Sequence, residues 1–442
     1  MLLAKWGHPV RLITRPLVSR GLAVSLPPSC GKLFDAIGVS DAIQRMGFQR
    51  STGHTVWWGG GEARVEPFAR GALGWQVDVD ALADVILTEA VAAGVRVERA
   101  QVTEQPDGYV LDCTGRGGVI ARAAKVRQVD EGARTVALVG VWWRDGGWPV
   151  PDDTHTLIES YRDGWMWSVP TAPGLRHIAA MIDPQRSDLA RGGSSAAMYH
   201  AEIAKTRIFS TLVDGASMIE GPVGFDASQY RATAYAGKRW LLVGDAGSFI
   251  DPLSSAGVKK ALASSWLAAV SVHTVLTRRF MRRDAFRFFS AREHEIEQHL
   301  SRESRQFLAS AASGHHHPFW DERSGETEER KIENAQIKQA LDQLRSRDSW
   351  QPAIGPAVSI ERRPFIRGHE IVREPHLVSA EYPQGVRYIR DIDMVEVVKL
   401  APAARHVPDL YETYVQRVGL APLPDFLFAV ATAVSRGWLV AE

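Results

Sequence analysis

The sequence predicts an α/β protein in three parts: a Rossmann-like α/β domain, an antiparallel β-sheet inserted into it, and a small C-terminal α+β module of winged-helix-like type. Three observations predict this. Residues 2–6, Gly7 and the run Val10-Arg-Leu-Ile-Thr14-Arg15 read as a helix, a glycine stop and a buried strand, the second half of a βαβ unit. Residues 135–182 are rich in β-branched and aromatic side chains. The turn signals Arg144-Asp-Gly-Gly147 and Arg162-Asp-Gly164 break them up, as in antiparallel hairpins. Residues 420–440, with Gly437 ahead of Trp-Leu-Val440, read as helix, stop and strand.

The other elements follow in order. Residues 81–93 have helical apolar spacing, Gly94 stops them, and Val95-Arg-Val97 begins a strand. Val110-Leu-Asp112-Cys-Thr-Gly115 reads as a strand running into a turn, and Trp240-Leu-Leu-Val243 as a buried strand entering a loop at Gly244-Asp245. Residues 258–276 read as a helix. Residues 284–312 and 325–346 are charged and helix-favouring, the second with an apolar stripe of Ile337, Leu341 and Leu344; residues 352–364 read as a linker. The expected boundaries are 1–50, 75–125 and 225–280 for the Rossmann-like domain and 51–74 with 126–224 for the inserted sheet. A helical segment is expected over 281–351, and the C-terminal module over 352–442. A dinucleotide-binding βαβ unit opens with a strand and G-x-G-x-x-G roughly 20–25 residues upstream of its second strand. Only the tail of that helix stands here, so the expectation is a translation start set too far downstream.

Composition narrows the function. The chain has 442 residues, 45% of them apolar and 23% charged, the balance of a globular protein. Lys+Arg number 52 and Asp+Glu 51, and that net +1 gives no field to attract nucleic acid or an anionic membrane. No apolar run reaches the ~18 residues that span a bilayer. Cys30 and Cys113 are too few for a disulfide framework, and a cytoplasmic location is expected. Cys30 has no resolving partner. His315-His316-His317 sit side by side in a loop and do not converge on one ion, so no metal is expected.

The most informative string is Gly244-Asp-Ala-Gly-Ser-Phe-Ile-Asp-Pro252-Leu-Ser-Ser-Ala-Gly257-Val258. A strand ends and exposes Asp245, an acceptor suited to a sugar or ribityl hydroxyl. Pro252 kinks the chain, and the small residues Ser255, Ala256 and Gly257 let backbone approach a flat ligand. The helix that follows offers free N–H groups at Gly257 and Val258 to an anion or developing negative charge. The plain alternative is an ordinary strand-loop-helix with a structural Asp. Of Trp57, Trp58, Trp75, Trp142, Trp143, Trp165 and Trp167, one or two are expected to line an aromatic pocket and the rest to fill core. Trp165 and Trp167 share a strand face by period two.

The 244–258 string resembles the second flavin-contact motif of the FAD-dependent aromatic monooxygenase and flavin-dependent halogenase superfamily. Gly7-His-Pro-Val-Arg-Leu-Ile, Ser25-Leu-Pro-Pro-Ser29, Gly74-Trp-Gln-Val-Asp78, Asp112-Cys-Thr-Gly115-Arg116 and Gly164-Trp-Met-Trp-Ser-Val-Pro170 resemble other family stretches in the right order, over about residues 1–325. The resemblance implies FAD as cofactor. It implies contacts from Thr14, which stands where the family has a ribose-binding Glu, and from Arg15, Asp112, Gly115, Gly244, Asp245, Pro252, Ser255, Ala256 and Gly257. It implies chemistry at a flavin C4a-hydroperoxide, with an external electron donor, NAD(P)H or a flavin reductase. His54 and Glu159 are the candidates for proton handling or substrate contact; the bland readings are a satisfied turn histidine and a solvated strand residue. Gly257 and Val258 stabilise developing charge in this reading, and Trp58, Trp165 and Trp167 form the substrate pocket.

Halogenases of the superfamily carry a Lys where this chain has Phe48-Gln-Arg-Ser-Thr-Gly-His54-Thr-Val-Trp-Trp-Gly59. No Lys is present, and the guanidinium of Arg50 does not readily lose a proton. Lys259 and Lys260 are expected to be solvated. Hydroxylation of an aromatic ring, indole above all, is therefore preferred to halogenation. The order that includes residues 155–170 and the C-terminal module most resembles the flavoprotein monooxygenases that mature quinohemoprotein amine dehydrogenase. That implies a Trp within a polypeptide subunit as substrate. The rivals are a halogenase, a prenyl-type double-bond reductase, and a degenerate binding protein without catalysis.

Overall fold

The computed structural model describes residues 1–15, 21–102, 105–130, 134–187, 194–324, 328–346, 350 and 352–441. The chain divides into two compact units, Met1–Glu326 and Thr327–Glu442.

The first unit is organised around a seven-stranded sheet. Its order is Ser217–Asp226, Val136–Trp143, Leu175–Ile182, Gly164–Ala172, Thr156–Tyr161, Gly53–Trp57, Arg64–Pro67. All neighbours are antiparallel except Thr156–Tyr161 against Gly53–Trp57. The central strands are buried on both faces, which explains their nearly unbroken apolar sequence. One face carries Leu138, Trp142, Met166 and Ile178 and packs on the Ser195–Ala204 and Ile208–Leu212 helices. The other carries Val139, Trp165, Ala179 and Met181 and packs on Leu308, Ala311 and Trp320. Opposed residues of paired strands share a face, so the register assigns every side chain to one layer or the other.

Beside this sheet lie two parallel strand pairs, Arg11–Thr14 with Arg96–Arg99 and Val110–Asp112 with Trp240–Leu242. A small sheet orders Ala23–Leu26, Gly74–Asp78 and Gln49–Ser51. The Val79–Ala92 helix starts where Asp78 accepts from the Ala81 N–H at 2.8 Å, a side-chain N-cap. Asp78→Ala is expected to cost about 1 kcal/mol, read as a small drop in urea midpoint with an unchanged slope.

The second unit corrects two expectations. The 281–351 stretch is not one segment. The Arg282–Ala312 helix belongs to the first unit, while Glu328–Ser346 packs Ile337 and Ala340 on Ala431 in the second. Residues 352–364 are not a linker: they hold the strand Pro352–Ile354, paired with Leu439–Ala441, and the start of Ser359–Arg367. That latter strand is charged and solvent-facing, so it lacks the apolar alternation by which strands are recognised. Its partner is Glu370–Val378. The helix-stop-strand pattern near the end is found, as Leu423–Ser435, Gly437 and Leu439–Ala441. Among the described residues no single helix is long and apolar enough to cross a membrane; one bent pair, Val407–Val418 with Leu423–Ser435, passes by length and composition only.

Candidate functional site

The strands Val110–Asp112 and Trp240–Leu242 run parallel, and the Val243 N–H donates to the Asp112 carbonyl at 2.9 Å. Their C-terminal ends open into two tight turns, Gly115–Gly117 and Gly244–Ala246, which pack on each other. The C-terminal ends of parallel strands are where α/β folds commonly bind ligands. Gly115 and Gly244 take φ of +57° and +59°, a left-handed conformation that disfavours other residues. A Cβ on Gly244 would stand 3.2 Å from Ala261, so the loop lies tight on the following helix.

The loop runs on through Pro252 and Ser255 to the 21-residue helix Gly257–Thr277. Ser255 has φ +47°, a left-handed residue that is not Gly, held in strain by its surroundings. Among the described residues no side chain of the N-cap position Ala256 caps the helix, and a Cβ on Gly257 would meet nothing within 4 Å. Asp251 is buried and accepts from the Leu253 N–H at 3.0 Å. Burial pushes its carboxyl up to about 6; the Leu253 N–H and the Arg323 guanidinium oppose the shift. The sign follows. With a folded value above the unfolded one, this carboxyl is neutral in the fold below about pH 6 and penalises the fold when it ionises above that. Asp251→Asn is expected to stabilise the ligand-free chain at pH 8, by about 1–3 kcal/mol at 1.36 kcal/mol per unit. At pH 4 it is expected to have almost no effect. Thermal melts at the two pH values check this.

The loop meets the aromatic face of the large sheet. Phe249 and Leu253 pack into the cluster that holds Trp58, Trp165 and Trp167. Trp167 stacks on Trp165 with ring centres 5.1 Å apart, and Trp58 stands edge-on to Trp165 at 6.4 Å. Trp58 also donates to the Phe307 carbonyl at 2.9 Å. Contrary to a pocket role, Trp58 and Trp165 are buried core: Trp58 packs on Phe307 and Trp320, and Trp165 lies between Trp58 and Trp167. Trp167 is only half-buried and keeps exposed surface. Further along the same face lies a cleft of about 420 Å³ lined by Phe48, Gln76, Thr171, Leu175 and His177 among others. His177 pairs across from Val169 and Val141, two positions from Ala179, the partner of Trp167. Its Nδ1–H donates to the Gly21 carbonyl at 2.8 Å, and its Nε2 accepts from Thr171 at 3.1 Å. No motif or spacing in the chain marks His177 or Thr171.

Other expected site residues are placed as follows. Glu159 is corrected. It sits on the opposite sheet face, paired across from Met166 and Trp57. Its carboxylate accepts from the N–H groups of Arg207, Ile208 and Phe209 at 2.7 to 3.1 Å, capping a helix from a neighbouring strand. Asp112 is corrected too: Oδ1 accepts from Thr114 N–H and hydroxyl, and Oδ2 from Ile120 N–H, so the carboxylate holds its own turn. His54 lies half-buried on the face of Val56 and Trp58, edge-on to Phe68 at 5.1 Å. Its buried Nδ1 has no hydrogen-bond partner among the described residues. Burial lowers its pKa against the pull of Glu66, so the ring is held neutral. Thr14 is half-buried at the end of its strand, Arg15 beside it is exposed, and Thr14 donates to the Arg15 carbonyl. Arg50 lies over the Trp75 ring and donates to the Gly74 and Leu73 carbonyls, both at 2.9 Å. Lys259 is exposed as expected, whereas Lys260, expected in solvent, is buried against the loop.

Comparison with known proteins gives three results. No family model matches the chain. It is 26% identical over 308 residues to a tryptophan 2-halogenase of Chondromyces crocatus, covering 62% of this chain and 58% of that one. It is 30% identical over 198 residues to a flavin-dependent halogenase of Penicillium aethiopicum, covering 42% of this chain and 37% of the relative. The chain thus spans less than two thirds of either relative. Among solved structures, the flavin-dependent halogenase CmlS superposes with a TM-score of 0.83 at 19% identity, covering 100% of this chain and 93% of that one. A peptidyl tryptophan dihydroxylase essential for tryptophylquinone cofactor biogenesis superposes with a TM-score of 0.68 at 20% identity, covering 99% and 95%. At these identities the likeness to solved structures establishes the fold.

Proposed function

Membership of the FAD-dependent halogenase and aromatic monooxygenase superfamily is the premise from which we propose that this chain is an FAD-dependent oxidoreductase hydroxylating an aromatic ring, an indole of a Trp within a peptide or protein. The residues fit FAD. Asp245, with a third of its side chain exposed, offers an acceptor; the uncapped helix at Gly257 offers N–H groups; and the space beside Gly257 is open. Bound there, FAD supplies the oxygen-transfer chemistry. The chain's own part is to hold the ring, exclude water and place the reacting carbon. Trp167, Phe249 and Leu253, partly buried in one apolar cluster, are the side chains this reading sets against the ring. His54, neutral and buried at Nδ1, is the group suited to accept a proton. Electrons come from NAD(P)H or a flavin reductase in this reading, and the enzyme works in the cytoplasm on a polypeptide partner, away from nucleic acid and membrane.

The observation that carries the reading is the meeting of the 244–257 loop with the Trp face in one cluster. What favours hydroxylation is the Arg50 stretch: no Lys lies in residues 48–59, and the Arg50 guanidinium is engaged with two carbonyls. Halogenation is the second reading, favoured by the sequence relatives, which are halogenases. The test is mass spectrometry of a Trp-containing peptide incubated with the chain, FAD, a reductant, O₂ and bromide. Gain of oxygen is expected. Gain of bromine would overturn hydroxylation, and an unchanged peptide beside a flavin-free protein would favour a binding module.

A further inference from the structure

Lys260 is the fourth residue of the Gly257–Thr277 helix and is 5% exposed. Burying an ammonium is costly unless every donor finds a partner. Here the partners all come from one loop. The ammonium donates to the Ser248 carbonyl, to the Ser248 hydroxyl at 3.1 Å and to the Gly244 carbonyl at 3.4 Å. It also stands 3.3 Å from an Asp245 carboxylate oxygen. A second tie comes from the same helix, where the Ser264 hydroxyl accepts from the Gly244 N–H at 2.9 Å. Glu293 is buried on the Arg282–Ala312 helix; burial pushes its carboxyl up to about 7, and a hydrogen bond from Ser264 and the Lys260 charge oppose that shift.

An apolar side chain of the same length would pack here without a desolvation cost, so packing alone gives no reason for a charge. What the charge reaches is Asp245, the one side chain of the 244–248 turn that offers a carboxylate to a ligand. We propose that Lys260 is a positioning residue for the flavin: it ties the 244–248 backbone from behind and fixes the Asp245 carboxylate in the orientation that receives the cofactor hydroxyl. This rests on the functional reading above. Lys260 touches no substrate and acts through Asp245.

The test is a double-mutant cycle on FAD affinity, read by flavin fluorescence on the full chain, with Lys260→Met, Asp245→Asn and the pair. Each single change is expected to raise the FAD Kd about tenfold or more. The pair is expected to be no weaker than the weaker single, because both remove the same arrangement. Lys260→Arg, which keeps the charge, is expected to recover part of the affinity, and the visible circular dichroism of bound flavin is expected to shift in Lys260→Met. The melting temperature of ligand-free Lys260→Met is expected to fall by a few degrees, because loop acceptors lose a donor, and Lys260→Arg is expected to recover part of it. Wild-type affinity in Lys260→Met would overturn the proposal, as would losses that multiply in the pair. A melting temperature that falls with affinity, without rescue by Arg, would also overturn it, assigning Lys260 to structure alone. A wild-type chain that binds no FAD is a different result, and it would sink the functional reading along with this one.

Discussion

Gly257→Leu is expected to abolish FAD binding while leaving the ligand-free fold intact. Gly257 is the first residue of its helix, it is not in a left-handed conformation, and a Cβ there would meet nothing within 4 Å. A side chain therefore starts in open space at this exposed position. Leucine also forms helix better than glycine, by roughly 0.8 kcal/mol in a helix interior, so the melting temperature should hold or rise slightly. If the flavin lies against this helix end, the same side chain fills its place and masks the free N–H groups. The expected loss is at least a hundredfold in Kd, about 2.8 kcal/mol at 1.4 kcal/mol per tenfold. Gly257→Ala should fall between. Isothermal titration with FAD beside a thermal melt checks both halves. Wild-type affinity in the leucine variant would falsify the placement of the cofactor at this helix.

The sequence carried this part of the site because each residue type there answers a local backbone demand. Glycine at 244 fits a left-handed turn, proline at 252 a kink, and small residues at 255–257 a close approach to the helix start. Local demands leave a local pattern. The large sheet was legible for the same reason, through its turn signals and β-branched runs. What stayed hidden depends on distant pairing. Glu159 looks the same in sequence whether it faces solvent, a ligand or a helix 50 residues away; only the register against Trp57 and Met166 turns it to Arg207–Phe209. Asp112 shares its turn with an acceptor role that is satisfied eight residues on, at Ile120. Lys260 did have a trace. Lys260, Ser264, Ala268 and Ser271 recur at helical spacing and are all buried, so the lysine lies on the inward stripe. Its charge argued for solvent, and the stripe was the better guide.

Glu159→Ala is expected to be strongly destabilising and to leave the chemistry of the folded fraction untouched. Glu159 is 4% exposed and its carboxylate serves three backbone N–H groups at the start of the Ile208–Leu212 helix, where the local Thr206 hydroxyl accepts from Ser210 N–H instead. Truncation leaves those donors buried, at about 1–3 kcal/mol for each unsatisfied group, and removes a negative charge from the positive end of a helix. A total of about 4 kcal/mol is expected from these terms, which corresponds to a fall on the order of 10 °C in melting temperature for a unit this large. Glu159→Gln separates the two roles open to this residue. A glutamine keeps one acceptor oxygen and turns an NH₂ toward backbone donors, so it should recover less than half of the lost stability. A proton-handling Glu159 predicts the opposite pattern: a stable Gln variant with a collapsed rate and an altered pH profile. Because Glu159 lies across the sheet from Trp165 and Trp167, the structural pattern is the one expected. The rate per folded enzyme and its pH dependence should match wild type even where the yield of folded protein does not.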